Sequence, residues 1–154
     1  MLLDLDKRTQ EFIRDHRVAR LATSDVVGQP AVVPICYAFD GERLYVPLDE
    51  KPKSVPDHEL KRVRNIRANP RVAVVVDDYS EDWSELVYVL IRGTAEVISS
   101  SENADEHRRA VELLRGKYPQ YRSMKLDQRS IIKITPIRIK RWAAADKGEK
   151  GEQR

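Results

Sequence analysis

The chain has 154 residues, with 28 Lys and Arg against 25 Asp and Glu and a formal net charge of +3. That length suits one domain with a substantial core, and the near-balance of signs removes bulk charge as an argument for nucleic-acid binding. The single cysteine, Cys36, excludes an internal disulfide and a cysteine-built metal cluster.

The N-terminus is too acidic and too soon polar for a signal peptide. No apolar run approaches the roughly 20 residues that span a bilayer, so the expectation is a soluble cytoplasmic protein. Leu3, Leu5, Phe12 and Ile13 among charged residues predict a first helix near 4–16, with Asp4 or Asp6 as N-cap. Residues 18–23 read as a strand ending in a polar turn at Ser24-Asp25 and Gly28-Gln29. A second strand is expected over 31–39, and Asp40-Gly41 predicts a hairpin into a third strand through Val46. Pro34 and Pro47 cannot donate to a ladder and mark an edge or a bulge.

Asp57 is the expected cap of a helix carrying Leu60, Val63 and Ile66, closed by Pro70. Residues 72–76 form a continuous apolar strand, followed by an acidic, aromatic connection over 77–83. A long strand over 86–98 should bend at Gly93. Ser99, Ser100 and Ser101 open a charged helix with Ala104, Val111, Leu114 and Tyr118 on one face, and a last strand runs from Ile131 to Ile139 and ends at Arg141-Trp142. Residues 1–142 thus make a single domain, and 143–154 carry too little apolar surface to pack and are expected to be disordered. The fold class is mainly β: about six antiparallel strands in a closed or split β-barrel with peripheral helices.

The chemistry-bearing residues are sparse. His16, His58 and His107 have no second ligand at helical spacing, so no metal site is expected. Cys36 lies inside a strand without a base partner and reads as a small hydrophobe rather than a nucleophile. What remains is a binding constellation. Lys51, Lys53, Lys61, Arg62, Arg64 and Arg67 surround the second helix and suit either a phosphate or a solvated face. Tyr79, Trp83 and Trp142 suit either a flat ring or interface packing. No side chain is a compelling general acid or base.

The ordered pieces 17–23, 28–30, 32–54, 60–79 and 82–98, and above all Arg62-Val63-Arg64-Asn65-Ile66-Arg67-Ala68-Asn69-Pro70-Arg71, resemble the pyridoxamine-5′-phosphate-oxidase-like split β-barrel superfamily. The segment from Asp77 to Trp83 is similar to its branch of coenzyme F420-dependent oxidoreductases. The resemblance spans roughly residues 10–142. It implies a homodimer of six-stranded split barrels with a flavin or deazaflavin in a groove between subunits.

Carried over by position, the resemblance sets Pro34, Ile35 and Cys36 along the ring and Val46, Pro47 and Leu48 near the ribityl chain. Arg62 takes the place of a phosphate-binding lysine, with Lys51, Lys53 or Lys61 assisting, and Trp83 and Trp142 are further candidates. An arginine grips phosphate as a planar fork rather than as a point charge. The implied reaction is hydride transfer to a small organic acceptor with no catalytic side chain, the cofactor supplying the chemistry. Coenzyme F420 is the leading cofactor and FMN the alternative. A non-catalytic flavin- or haem-binding barrel is the other reading. Membrane and nucleic-acid partners are not expected.

Overall fold

The computed structural model describes residues 3–48 and 60–148. Helix α1 (Lys7–Asp15) starts at Asp6, whose carboxylate accepts a hydrogen bond from the Thr9 amide at 2.7 Å. Of the two expected caps, Asp6 is therefore the one used. That bond satisfies one amide left free by the helix start, and with the Thr9 hydroxyl it holds the Asp6 carboxyl below its ordinary range.

Seven strands follow: β1 (Ala19–Ser24), β2 (Pro30–Ile35), β3 (Ala38–Phe39), β4 (Leu44–Pro47), β5 (Arg71–Asp78), β6 (Val87–Ile98) and β7 (Ile131–Ala143). They form one sheet in the order β2-β1-β5-β6-β7-β4-β3, and every pairing is antiparallel. The strand expected over 31–39 is two strands, which raises the count from six to seven. β2 and β3 occupy opposite edges although only Cys36 and Tyr37 separate them. Three residue steps reach at most about 10 Å, so the sheet has to curl until its edges nearly meet. This is the split barrel.

Buried hydrogen bonds hold that crossing. The Tyr118 hydroxyl accepts from the Tyr37 amide at 3.0 Å. It lies 2.8 Å from the Arg17 carbonyl and 3.0 Å from that of Tyr37, to one of which it donates. The Tyr37 hydroxyl in turn donates to the Ile13 carbonyl on α1. Burial pushes the Tyr118 phenol up to about 12 and the Tyr37 phenol higher still.

The expected hairpin joins β3 to β4. The Asp40 carboxylate accepts from the amides of Glu42 and Arg43 at 2.8 and 2.7 Å, and Gly41 adopts φ +101°. The expected bend in β6 is a register shift between Arg92 and Gly93. A Cβ on Gly93 would stand 2.3 Å from the Thr135 carbonyl oxygen, so β7 approaches too closely for any side chain there.

The barrel interior is filled by Leu21, Val74, Ile91, Ile132 and Ile134. Helix α2 (Lys61–Ala68) adds Val63 and Ile66 to that core, and its buried Asn65 donates to Thr23 on β1 at 3.0 Å. The expected cap, Asp57, lies outside the described residues. Helix α3 (Ala104–Lys117) covers the outside of the β3–β4 side, where Ala110, Val111 and Leu114 pack with Tyr45, Ile98 and Ile131. Ala104, expected on that face, is exposed in the first turn. His107 takes the inner position, its Nε2 2.6 Å from the Arg129 carbonyl.

β7 runs past Trp142. Residues 144–148 continue as a 3₁₀ turn anchored by the Ala144 amide on the Leu86 carbonyl at 2.9 Å. The expected disorder is thus corrected for 143–148, while 149–154 lie outside the described residues. No helix among the described residues is long and apolar enough to cross a membrane.

Candidate functional site

Strand alternation sorts the residues of β2, β1, β5, β6 and β7 between barrel interior and outer face. The pairing register sets the outward ones in rows. One row reads Pro34, Arg20, Val75, Leu90, Lys140, and the next reads Val32, Ala22, Ala73, Arg92, Arg138. Side chains at this end of the sheet stay at the surface, with Val32 and Ile137 64% and 61% exposed. The face thus combines exposed apolar side chains with the cations Arg20, Arg92, Arg138 and Lys140.

Within it lies a hollow of about 540 Å³ over Ala22, Ser24, Pro30, Ala73 and Gly93, walled by Ile137, Arg71 and Arg92. Its size falls in the range of small-molecule sites. Alanine and glycine at strand centres leave a flat floor. Arg71 and Arg92 sit diagonally on β5 and β6, and neither forms an ion pair among the described residues. The Arg20 guanidinium is occupied, bonding Asp77 at 2.8 Å. Tyr88 and Trp142 stack at 5.6 Å with 16° between their planes, at the far end of the same face.

The structure distributes the sequence-predicted residues unevenly. Pro34 and Trp142 lie on the outer face. The side chains of Ile35, Val46 and Leu48 belong to the barrel core, at 6%, 2% and 0% exposure, so a ligand would meet only their backbone. Pro47 is buried opposite Ile131. Cys36 lies in the link between β2 and β3 rather than inside a strand, and is half-buried against the core under α3. Trp83 is exposed in the 3₁₀ turn between β5 and β6, apart from the hollow. Lys51 and Lys53 lie outside the described residues.

Lys61, exposed, and Arg62, half-buried, occupy the first turn of α2. The Asp25 carboxyl is held low first by the Gln29 amide and further by the charge of Lys61. The start of α2 therefore stands beside the β1–β2 turn, at the Ser24 and Pro30 end of the hollow. Ala22, Ala73, Arg71 and Arg92 escaped the sequence reading. Their signal was alternation in β5, where Arg71, Ala73 and Val75 point out between Val72, Val74 and Val76.

His16 is engaged by the Phe12 carbonyl at 2.8 Å and by Asp78 at 2.6 Å. Among the described residues no cluster of His, Cys, Asp and Glu is arranged to hold a metal ion. A larger groove, about 890 Å³, lies between α1, the β3–β4 hairpin and α3, and contains none of the sequence-predicted site residues.

Comparison with known proteins matches the chain to a family. The family model described as pyridoxamine 5′-phosphate oxidase matches residues 5–143. A 5a,11a-dehydrotetracycline/5a,11a-dehydrooxytetracycline reductase of Streptomyces rimosus is 30% identical over 105 residues, 68% of this chain and 71% of the relative. The crystal structure of Rv2991 from Mycobacterium tuberculosis superposes with a TM-score of 0.75 at 20% identity, covering 99% of this chain and 92% of that one. An F420 reductase superposes with a TM-score of 0.59 at 24% identity, covering 84% and 94%. At such identities the two structures speak for the split-barrel fold.

Proposed function

The chain belongs to the pyridoxamine 5′-phosphate oxidase family, and we propose that within it this protein is a reductase that uses coenzyme F420 to pass a hydride to a small organic acceptor. The observation that carries the reading is the flat floor of Ala22 and Ala73, with Val32 beside it on the third adjacent strand and the guanidiniums of Arg71 and Arg92 next to it. Three neighbouring strands span about 10 Å, a bed suited to a fused three-ring system. The floor offers contact to a ring face, and the guanidiniums offer charge-assisted hydrogen bonds to a phosphate. The cations continue beyond the hollow through Lys61, Arg62, Arg64 and Arg67 on α2, which suits a polyanionic tail. The name of the Streptomyces relative supports a reductase, and an F420 reductase is among the proteins that share the fold.

When bound, the coenzyme supplies the hydride chemistry. The chain's own part is to bind, orient and dry the ring. Ala22 and Ala73 let the ring approach the sheet, Val32 and Pro34 border it along β2, and Arg71 and Arg92 fix its phosphate end. The hollow is open on one side, and we place a second copy of the chain over it, burying Val32 and Ile137 and excluding water. No side chain serves as nucleophile, so Cys36→Ala keeps most of the turnover.

Haem binding without catalysis is the second reading: among the described residues His16 and His107 are both engaged, and His58 lies outside them. Titration with F420 and with FMN, followed by absorbance and ring fluorescence, tests the proposal. Saturable F420 binding that weakens about tenfold in Arg92→Gln is expected, the loss of one charge-assisted contact. FMN binding without F420 binding overturns the choice of coenzyme. Binding of neither, with tight salt-sensitive binding of an oligonucleotide, overturns the enzyme reading.

A further inference from the structure

The 890 Å³ groove lies away from the open sheet face, and its walls come from three elements. Arg14 and Asp15 belong to the last turn of α1, Phe39 and Tyr45 to the hairpin strands, and Arg109, Leu113, Gly116 and Lys117 to α3. Two independent features show that it is built to hold something.

The first is Lys117. Its ammonium sits 4.0 Å from the ring centroid of Tyr37 and 5.3 Å from that of Tyr118, a cage of two aromatic faces. The Nζ atom is buried and meets no hydrogen-bond acceptor among the described residues. A buried amine in that condition lacks the partners that water would give it. The surrounding acids do not supply them. Glu106 is taken by Lys133 at 2.9 Å and by Tyr45 at 3.1 Å, and Asp40 is used in the hairpin turn. Arg43 in turn pairs with Glu42 at 3.3 Å. Asp15 and Glu112 stay unpaired, as do the exposed Arg14 and Arg109 on facing walls, among the described residues.

The second feature is Gly116. Glycine inside a helix costs roughly 0.5–1 kcal/mol relative to alanine. A Cβ built at Gly116 meets nothing within 4 Å, so neither crowding nor backbone conformation demands a glycine there. What the missing side chain does is leave the groove floor open between Leu113 and Lys117.

We propose that this groove binds a small amphipathic anion, a carboxylate or phosphate ester on an apolar body. The anionic group is met by the exposed Arg14 and Arg109 rims above the buried Lys117 ammonium, whose charge draws it in, and the body lies over Gly116, Leu113 and Phe39. The site is separate from the coenzyme floor and stands or falls independently of it. Burial, and secondarily the charge of Arg17, lowers Lys117 to about 8, while Asp15 and Cys36 oppose that shift. The Tyr37 and Tyr118 phenols beside it stay neutral in this range because burial raises both. Anion binding therefore weakens as the pH passes 8.

Calorimetric titration of the full chain with phenylacetate, phenyl phosphate and neutral phenylacetamide tests the site. Saturable binding of the two anions is expected, with phenylacetamide about tenfold weaker or worse, the worth of a charge-assisted contact. The stronger of the two anions identifies carboxylate or phosphate as the preferred group. Gly116→Leu should abolish binding while leaving the circular dichroism intact and the melting temperature equal or slightly higher, since the space for the side chain is empty and glycine is the poorer helix former. Lys117→Met should remove the loss of affinity above pH 8, and Arg92→Gln on the sheet face should leave anion binding unchanged. Equal binding of phenylacetamide, undiminished binding by Gly116→Leu, or no saturable binding of either anion overturns the proposal.

Discussion

Two halves of one outer sheet surface are finished in opposite ways. On the β3–β4 side, the outward Tyr45 and Ala38 and the ends Ile98 and Ile131 meet Ala110, Val111 and Leu114 of α3, and all are 4% exposed or less. On the β2–β1–β5 side the outward apolar residues are Pro34, Val32, Ala22, Ala73 and Val75, exposed or only half-buried between the cations Arg20 and Arg71. Apolar outward residues therefore do not by themselves say that a helix of the same chain covers them. Size and neighbouring charge separate the two cases. The covered half offers large side chains that interdigitate with a helix, whereas the open half offers small ones beside unpaired guanidiniums. The first is a core and the second is the proposed bed for a ligand.

The largest effect that separates the halves is a core truncation. Leu114 is fully buried under α3, and Leu114→Ala should cost about 2–5 kcal/mol in urea denaturation. Ile137→Ala, on the open half, should shift the midpoint by no more than about 0.5 kcal/mol. Similar losses at both positions would erase the distinction between them. Next comes Tyr118→Phe, which strips the hydroxyl that serves the buried Tyr37 amide at the β2–β3 crossing. A loss of about 1–3 kcal/mol is expected from leaving that group unsatisfied. A neutral result would mean that the sheet closes without this bond.

A smaller effect on stability but a sharper one on assembly belongs to Val32→Asp. The side chain is exposed in the single chain, so its melting temperature in dilute solution should barely move. Under the proposed assembly the same change sets a charge against its copy, and sedimentation should show dimer replaced by monomer. A dimer that survives Val32→Asp would place the subunit contact elsewhere.

These contrasts also show what could be read in the chain. Hairpin chemistry at Asp40-Gly41, the closing of α2 before Pro70 and the bend at Gly93 were legible because each depends on local backbone rules. The break at Cys36-Tyr37 was not. Residues 31–39 are uniformly β-forming, and what splits them is the closure of a sheet whose edges are joined by two residues. The phosphate-binding expectation at Lys61 and Arg62 came from family likeness and spacing. The small-residue floor was hidden because Ala22 and Ala73 read as core when alternation is ignored. Burial of Ile35, Val46 and Leu48 was equally hidden, since an apolar strand does not announce which of its faces meets a ligand.

The covered half carries one more mark that the open half lacks, a buried cation. Lys117 titrates at about 8 when folded against an ordinary 10.5, chiefly because burial disfavours its charge. Between those values the unfolded chain binds a proton that the folded chain does not, so stability must rise with pH across that interval. The phenols of Tyr37 and Tyr118, raised by burial, act in the opposite sense above pH 10, because there the unfolded chain has lost protons that the folded chain keeps. The window in which Lys117 acts alone is therefore pH 8 to 10. The lysine as a whole is only half-buried, and solvent along its stem keeps the effect modest. Denaturation at pH 7, 8, 9 and 10 should show the native chain gaining stability on Lys117→Met across the last three points. At pH 7 the methionine variant should be the more stable of the two, having no buried charge to desolvate. Parallel profiles for the two proteins would mean that the amine is hydrated in the folded state, and the floor of the α3 groove would then be wetter than its two tyrosine rings imply.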